Sequence, residues 1–590
     1  MTTGLRETSV RFPAPTLAAA ATTACLVISI NLGNDAVPIL RLAILCGLGF
    51  VLSLLADLKL EARAITGVMH RGGVTVVVIT LLIGYQFIVM PAELKNAPKS
   101  FFYSYGILLF CLHLGIALVP LLRSADKSML WRFNLSLFLR FFFSSINAVI
   151  LFAGLALAIV SIDKLFGLNM EPEIYAQLWS ICAFFIHPML FLGGIPKLDA
   201  IRADEEKAYP KPLHFTLQFI ALPLVLVYLI ILYAYVGKIL ILQSWPNGWV
   251  AMPIFILSVI SLLTYVLSAP LAYARTWSRL YHQWLFRLLF PLSIVLFLAL
   301  QIRLNDYGMT INRYLGLALA IWLFGLCLAK IIRPSLHVGW IPATLLIISL
   351  IAIYGGTISA FSWSQRSQLQ RIQILATETG TWNEGRLVPS TSEDYSRESA
   401  SELSSSLRYL FEHFGAAPLS GPLASFHAYK NLEDFASKSH YSQTNSVMDF
   451  LGLETNDYNM SQTQYRYSSQ IHPTYSHQWM IHYNFYERSG YNREIQFDDT
   501  TLSLDYNQDT QQLRIAIEEE TLISIDTQEW VDPILDSIDA HRTGAQDPLS
   551  WDYEAKGWQF TLMLKHAGVY RSKREIRNAG LNILFTQPEN

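Results

Sequence analysis

Two histidines, His113 and His187, fall near the middle of long apolar runs, where a polar side chain costs free energy unless it faces protein or water. Imidazoles at such depth could pass protons, hold a metal ion or contact a polar substrate. The plainer role is a hydrogen bond between neighbouring helices. Gln86 and Asn147 add amides in the same setting, fit either to line a path or to join helices. Pro188 follows His187 and frees a carbonyl one turn earlier, which predicts a bend at that histidine. A different chemistry is concentrated in the stretch R-L-N-D-Y-G-M-T-I-N-R-Y, residues 303–314. Gly308 lets the chain reverse tightly, and Thr310 is placed to cap the next helix. That leaves Arg313 near the positive end of the helix dipole, where a cation needs compensation. Asp306 is the nearest acid in sequence, so Arg303, Asp306 and Arg313 are expected to form a charged cluster, with Tyr307 and Asn312 in the same turn. The simpler alternative is an interfacial turn with tyrosine anchors.

The elements that must position these residues are apolar helices. The chain has 590 residues, 52% hydrophobic and only 15% charged, well below the quarter or so typical of soluble chains. Eleven apolar runs, from 14–33 to 339–361, approach the roughly 17 to 25 residues that cross about 30 Å of hydrocarbon. The first is followed almost at once by the second, so it reads as a retained span and not a cleaved signal. With the N-terminus inside, eighteen Lys and Arg fall in cytoplasmic segments against six on the other side, the positive-inside pattern. An odd number of spans then places the C-terminal region outside. All five cysteines lie in the apolar part, so the C-terminal region has no disulfide framework.

Charge divides the chain in the same place. Residues 1–364 carry 25 basic and 14 acidic side chains (+11), and residues 365–590 carry 18 and 31 (−13). The expected organisation is a multi-pass all-α membrane bundle over 1–363, an exit helix and linker over 364–398, and a soluble α+β domain over 399–590. In that last part, Leu403, Leu407, Leu410, Phe411 and Phe414 recur on one helical face, with Ser399 and Glu402 as a capping box. Period-two alternation predicts strands around 479–486, 502–506, 513–517 and 558–564, which form an antiparallel sheet, and Val531 to Ile538 a further helix. His472, His477 and His482, with His440, invite a metal site. Their five-residue spacing, however, sends successive side chains to opposite faces of a strand, so no metal or cofactor is expected. The acidic balance argues against nucleic acid as a partner.

Tyr307, Gly308, Thr310, Asn312, Arg313 and Tyr314, after a basic Arg303, resemble the Y-G-x-T-x-N-R-Y segment of the bacterial multi-pass membrane proteins grouped as domain of unknown function 4153. Ser364, Ser367, Gln368, Arg371 and Ile372 are similar to that family's boundary segment, with the resemblance running over roughly 10–375. Met309 and Ile311 depart from it mildly. The resemblance implies a bacterial inner-membrane protein and supplies no activity or catalytic residues. H-E-x-x-H, G-x-x-x-x-G-K-[ST], G-x-S-x-G and G-x-G-x-x-G are all missing, so an enzymatic role has no motif behind it. The expected partners are the lipid bilayer and a periplasmic ligand or protein bound by the outer domain, in a sensor or envelope-assembly role. The alternatives are transport of a small solute, lipid or ion through the bundle, and an embedded enzyme acting on a lipid-linked substrate.

Overall fold

The structure is a computed structural model that describes residues 2–586 apart from 66, 92–93, 95–96, 124–126, 169, 204–208, 243–250, 273–275, 391–394, 427–434, 436–437, 454–461, 467–478, 487–492, 498–499, 508–509, 518–519, 542–548 and 571–574. The chain forms two compact units. The first comprises 1–377, 382–388 and 405–447, and the second 378–381, 389–404 and 448–590.

In the first unit a short helix α1 (Thr2–Arg11) precedes eleven apolar helices. These are α2 (Pro13–Leu32), α3 (Val37–Ala62), α4 (Val68–Ile88), α5 (Lys99–Leu118), α6 (Lys127–Phe166), α7 (Glu173–Gly194), α8 (Lys211–Leu242), α9 (Ala251–Leu267), α10 (Thr276–Tyr307), α11 (Ile311–Ile332) and α12 (Trp340–Tyr354). Among the described residues nine are long and apolar enough to cross a membrane, since about twenty residues at 1.5 Å each match the hydrocarbon thickness. The other two, α9 and α12, have 17 and 15 residues and are continued by the 3₁₀ turns Ala269–Ala272 and Gly356–Ile358. Each apolar run of the sequence therefore has its helix. The outward faces of α4 and α6 carry exposed Val76, Ile79, Ile83, Phe142, Val149 and Ile150, a surface suited to lipid tails.

Burial inside the unit is concentrated in two clusters. Phe12, Leu54, Leu58, Phe133 and Leu192 pack together in one, and Ile254, Leu289, Leu292, Leu296, Ala320 and Cys327 in the other. All five cysteines are free thiols. The bend predicted at His187 takes a specific form. Cys182–Ile186 is a π-helical turn directly before His187 and Pro188, and Leu217–Ala221 is a second directly before Leu222 and Pro223. A proline removes the N–H that would bond back one turn, and a wider turn re-routes the freed carbonyl.

Beyond α12 the exit helix α13 (Ala360–Glu378) leads to a hairpin of β1 (Trp382–Asn383) and β2 (Arg386–Leu387), inside the segment expected as linker. Helix α14 (Arg397–Phe414) lies where the apolar periodicity placed it, and both units include part of it. Its cap differs from the expected one: Ser396 Oγ accepts from the Ser399 N–H, one turn earlier than the Ser399–Glu402 pairing. Ser399 instead donates its hydroxyl to Glu378. Helix α15 (His440–Leu451) follows.

The second unit is built on antiparallel sheets. One joins β3 (Gln462–Arg466), β4 (Trp479–Tyr486), β9 (Ser550–Ala555), β10 (Trp558–Tyr570) and β11 (Glu575–Thr586). β10 and β11 are its spine, paired from Gln559 opposite Thr586 to Tyr570 opposite Glu575 with register shifts between Leu564 and His566 and between Gly568 and Val569. β9 and β3 share the other edge of β10, β9 along Trp558–Met563 and β3 along His566–Tyr570. The second sheet is a meander of β5 (Arg493–Phe497), β6 (Thr500–Asn507), β7 (Gln512–Ile517) and β8 (Glu520–Asp526). Alternate residues of these strands, Leu502, Leu504, Leu513, Ile515, Phe560, Leu562, Leu581 and Ile583, meet in one core. Helix α16 (Val531–His541) adds Val531 and Ile534, and Trp530 stacks on Trp551 at 4.8 Å.

Candidate functional site

The two sequence segments that carry the resemblance, 54 residues apart from Thr310 to Ser364, are the two halves of one joint. Gly308 reverses the chain after α10 with φ +67°, a conformation that L side chains rarely adopt. Thr310 caps α11, its Oγ1 accepting from the Arg313 N–H at 3.4 Å. Helix α13 presents Ser364, Ser367 and Gln368 on one face, at i, i+3 and i+4. All three bond to the backbone of the turn. Ser367 Oγ accepts from the Met309 N–H at 2.9 Å, and Gln368 Nε2 donates to the carbonyls of Met309 (3.0 Å) and Tyr307 (3.3 Å). Ser364 and Gln368 are almost wholly buried, so these bonds are made away from water.

Arg313 is compensated by carbonyl oxygens. Its Nη1 donates to Tyr307 (2.9 Å) and Gly308 (2.8 Å), and the guanidinium lies 5.3 Å from the Tyr307 ring. Those carbonyls end α10, where the helix dipole is negative, so one helix end neutralises the cation at the start of the next. The side chain of Asp306 lies outside the described set. Arg303 and Asn312 are exposed, and Tyr314 donates its hydroxyl to the Ile358 carbonyl at 2.7 Å.

Helix α14 completes the joint. The Tyr409 hydroxyl accepts from the Ile311 N–H at 2.8 Å and lies 2.8 Å from Ser364 Oγ. His413 stacks on Tyr409 with ring centroids 4.1 Å apart, and Glu412 pairs with Lys99 at the start of α5. Tyr409→Phe strands the buried Ile311 N–H and is expected to cost about 1–2 kcal/mol, read as a lower Tm. Ser364→Ala should cost less, because the amide keeps its phenol acceptor.

The joint is sensitive to acid. Burial holds the His413 imidazole below its ordinary value of 6.5. Burial alone would raise the Glu412 carboxyl, but the hydrogen bond and charge of Lys99 outweigh it and hold that group below 4.5. A depressed folded-state pKa means that protonation favours the unfolded chain. Stability is thus expected to fall as pH drops below 6.5 through His413, and again below 4.5 through Glu412. Tm measured against pH should show both steps, with His413→Gln removing the upper one.

The intramembrane polar residues have separate surroundings. His113 is exposed, and its Nδ1 donates to the Leu109 carbonyl of its own helix at 2.7 Å. Ser145 of α6 spends its proton on the Phe141 carbonyl, so His187 Nε2–H donates to Ser145 at 3.2 Å and links α7 to α6. Asn147 is exposed on α6, and Gln86 is half-buried with its Oε1 unpaired among the described residues. His440 Nδ1 meets Gln443 at 3.4 Å. His472 and His477 lie outside the described residues, as does the side chain of His482.

Sequence reading did not find a cavity of about 1280 Å³ at the opposite ends of α10 and α11. Arg132 and Arg140 of α6, Arg279, His282 and Arg287 of α10, and Lys330 of α11 face it. Gly194 makes room for one of them: a Cβ there would stand 2.5 Å from Arg140 Cδ. Trp131 and Tyr209 stack at 5.8 Å on its wall, donating to the Val266 and Leu267 carbonyls at 2.7 and 3.0 Å. The signal available in the sequence was the basic residues themselves, Arg132, Arg140, Arg279, Arg287 and Lys330, set inside their helices.

A bundle of apolar helices with lipid-compatible faces, joined by buried hydrogen bonds to helix α14, defines a polytopic membrane protein with an appended C-terminal region that contains antiparallel sheets. Residues 17–382, more than half of the chain, match the family described as Domain of unknown function (DUF4153), and the chain belongs to that family. The matched range takes in both halves of the joint and the cavity wall. No curated protein and no solved structure matches the chain.

Proposed function

We propose that this is a bacterial inner-membrane protein with a cytoplasmic N-terminus, whose C-terminal region faces the periplasm and binds a ligand or protein partner in a sensing or envelope-assembly role. The bundle responds to that event through the joint. The observation that carries this reading is the Tyr409 hydroxyl at the first amide of α11: a helix that follows the membrane part holds the start of a membrane helix by a buried hydrogen bond. The orientation is supported by Arg132, Arg140, Arg279, Arg287 and Lys330, which gather at the cavity on one side of the bundle, while the joint occupies the other ends of α10 and α11. Eleven crossings, counting α9 and α12, give the odd number this arrangement needs. On this reading Arg313, whose Nη1 donates to two carbonyls, is a residue that positions the turn.

Ser439→Cys tests the placement, because residues 365–590 contain no cysteine. A membrane-impermeant maleimide is expected to label it in cells with a permeabilised outer membrane and an intact inner one. Protection until lysis would place the region in the cytoplasm and overturn the reading. Transport through the bundle, with His113, His187, Asn147 and Gln86 on the path, is the second reading, favoured by the large cavity that opens among its helices.

A further inference from the structure

The cavity gathers five cations, Arg132, Arg140, Arg279, Arg287 and Lys330, and none of the described residues that line it is Asp or Glu. Its volume of about 1280 Å³ exceeds the roughly 300–1,000 Å³ of common ligand pockets, so it has room for a group much larger than a single ion. Lys330 is the deepest of the five, 6% exposed. Its ammonium donates to the Tyr265 hydroxyl at 2.8 Å and to the Leu336 carbonyl, and it lies 5.1 and 5.6 Å from the Tyr265 and Phe286 rings. Dipoles and ring faces hold that charge in place and leave its sign intact. A cluster of cations around one space attracts a multiply charged anion more strongly than a singly charged one.

We propose that this cavity is a binding site for a phosphate-bearing ligand. Four guanidiniums and an ammonium suit a group that carries about two negative charges and several acceptor oxygens, because guanidinium forks pair bidentately with phosphate. One carboxylate would engage a single arginine, whereas one phosphate offers acceptor oxygens to several donors at once. Lys330 anchors the phosphate at depth, and Arg140 and Arg287, both exposed, close on it from α6 and α10. Arg140 reaches this position because Gly194 lets its stem lie against the α7 backbone. His282 is fixed beside Lys330: Ser268 gives its proton to the Thr264 carbonyl, so His282 Nε2–H donates to Ser268 at 3.0 Å. Leu135, Leu139 and Ile331 supply an apolar wall for the rest of the ligand. The phosphate belongs either to a lipid headgroup or to a soluble ester, and the site stands whether or not the C-terminal region reports to the bundle.

The test uses the full chain in phosphatidylcholine nanodiscs. In one arm, fluorescent phosphatidic acid is added to the bilayer and its retention is measured. In the other, inorganic phosphate and glycerol 3-phosphate are titrated in solution. Binding in the first arm alone assigns a lipid headgroup, and binding in the second alone a soluble phosphate. Either is expected to weaken ~10-fold in Arg140→Gln and ~100-fold with Arg287→Gln added, about the effect of losing one charged hydrogen bond at each step. Both side chains are exposed, so these variants are expected to fold, while Lys330→Gln tests the anchor. Arg123→Gln, whose side chain pairs with Asp199 away from the cavity lining, is expected to change nothing. Equal retention by the wild-type chain and the Arg140→Gln, Arg287→Gln variant in both arms would overturn the proposal, as would succinate bound as tightly as phosphate.

Discussion

Gly308→Val is expected to destabilise the membrane unit by about 3–5 kcal/mol. A β-branched residue held at φ +67° costs about 1–3 kcal/mol by itself. The new Cβ would stand 3.1 Å from Gln368 Nε2 and 3.2 Å from Ser367 Oγ, tighter than ordinary contact. Both atoms are the hydrogen-bond partners of the turn, so relieving the contact sacrifices bonds of about 1 kcal/mol each to Tyr307, Met309 and the Met309 amide. Gly308→Ala should recover part of the loss, since it keeps the clash and lessens the backbone strain. Thermal unfolding of the purified chain followed by size exclusion measures the series. A valine variant melting with the wild type would contradict the joint.

Arg11 is the second site of large effect. Its Nε and Nη2 donate to the two oxygens of Glu61 at 2.9 and 2.8 Å, Nη1 donates to the Ile195 carbonyl at 2.5 Å, and Nη2 reaches Pro196 at 3.3 Å. One guanidinium thus ties α1 to the end of α3 and to the end of α7. The pair is about four-fifths buried. Removing one partner of a buried pair costs about 3–5 kcal/mol, and the residual exposure lowers the expectation for Arg11→Ala to about 2–3 kcal/mol. Arg11→Lys keeps the charge and loses the planar fork, so it should recover less than half. A double-mutant cycle with Glu61→Gln separates the ion pair from the carbonyl bonds. Coupling near zero would assign the whole effect to Ile195 and Pro196.

The sequence disclosed most about elements whose physics is local. Hydropathy located every apolar helix, and period-two alternation located Trp479–Tyr486 and Trp558–Leu564, because one buried face writes itself into every second residue. Strands β3, β5, β8, β9 and β11 were not anticipated: Arg493–Phe497 and Ser550–Ala555 are short, with only Ile495 and Phe497 or Trp551, Tyr553 and Ala555 to carry an alternation, and pairing partners supply the order. The joint was legible as two short motifs, yet nothing local says that Ser367 reaches Met309, since that contact spans 58 residues. Arg313 donates to carbonyl oxygens, which carry no sequence signature, while the side chain of Asp306, the acid expected beside it, lies outside the described residues. The basic cavity was hidden for a related reason. Its cations were counted as evidence of orientation, and only tertiary packing turns side chains from α6, α10 and α11 toward one space.

The π turns ahead of Pro188 and Pro223 give the bundle a kind of slack that the other helices lack among the described residues. Each houses one residue more than an α-helical turn does, and one residue corresponds to about 100° of rotation about the helix axis. The stretch between them, His187 to Thr216, carries Gly194, Ile195, Tyr209 and Pro210 of the cavity wall. Each turn is thus a place where the helix next to it, His187–Gly194 or Leu222–Leu242, is set about one residue out of phase with the turns before the bulge, so its facing side chains are aimed by the bulge and not by the α-helical repeat alone.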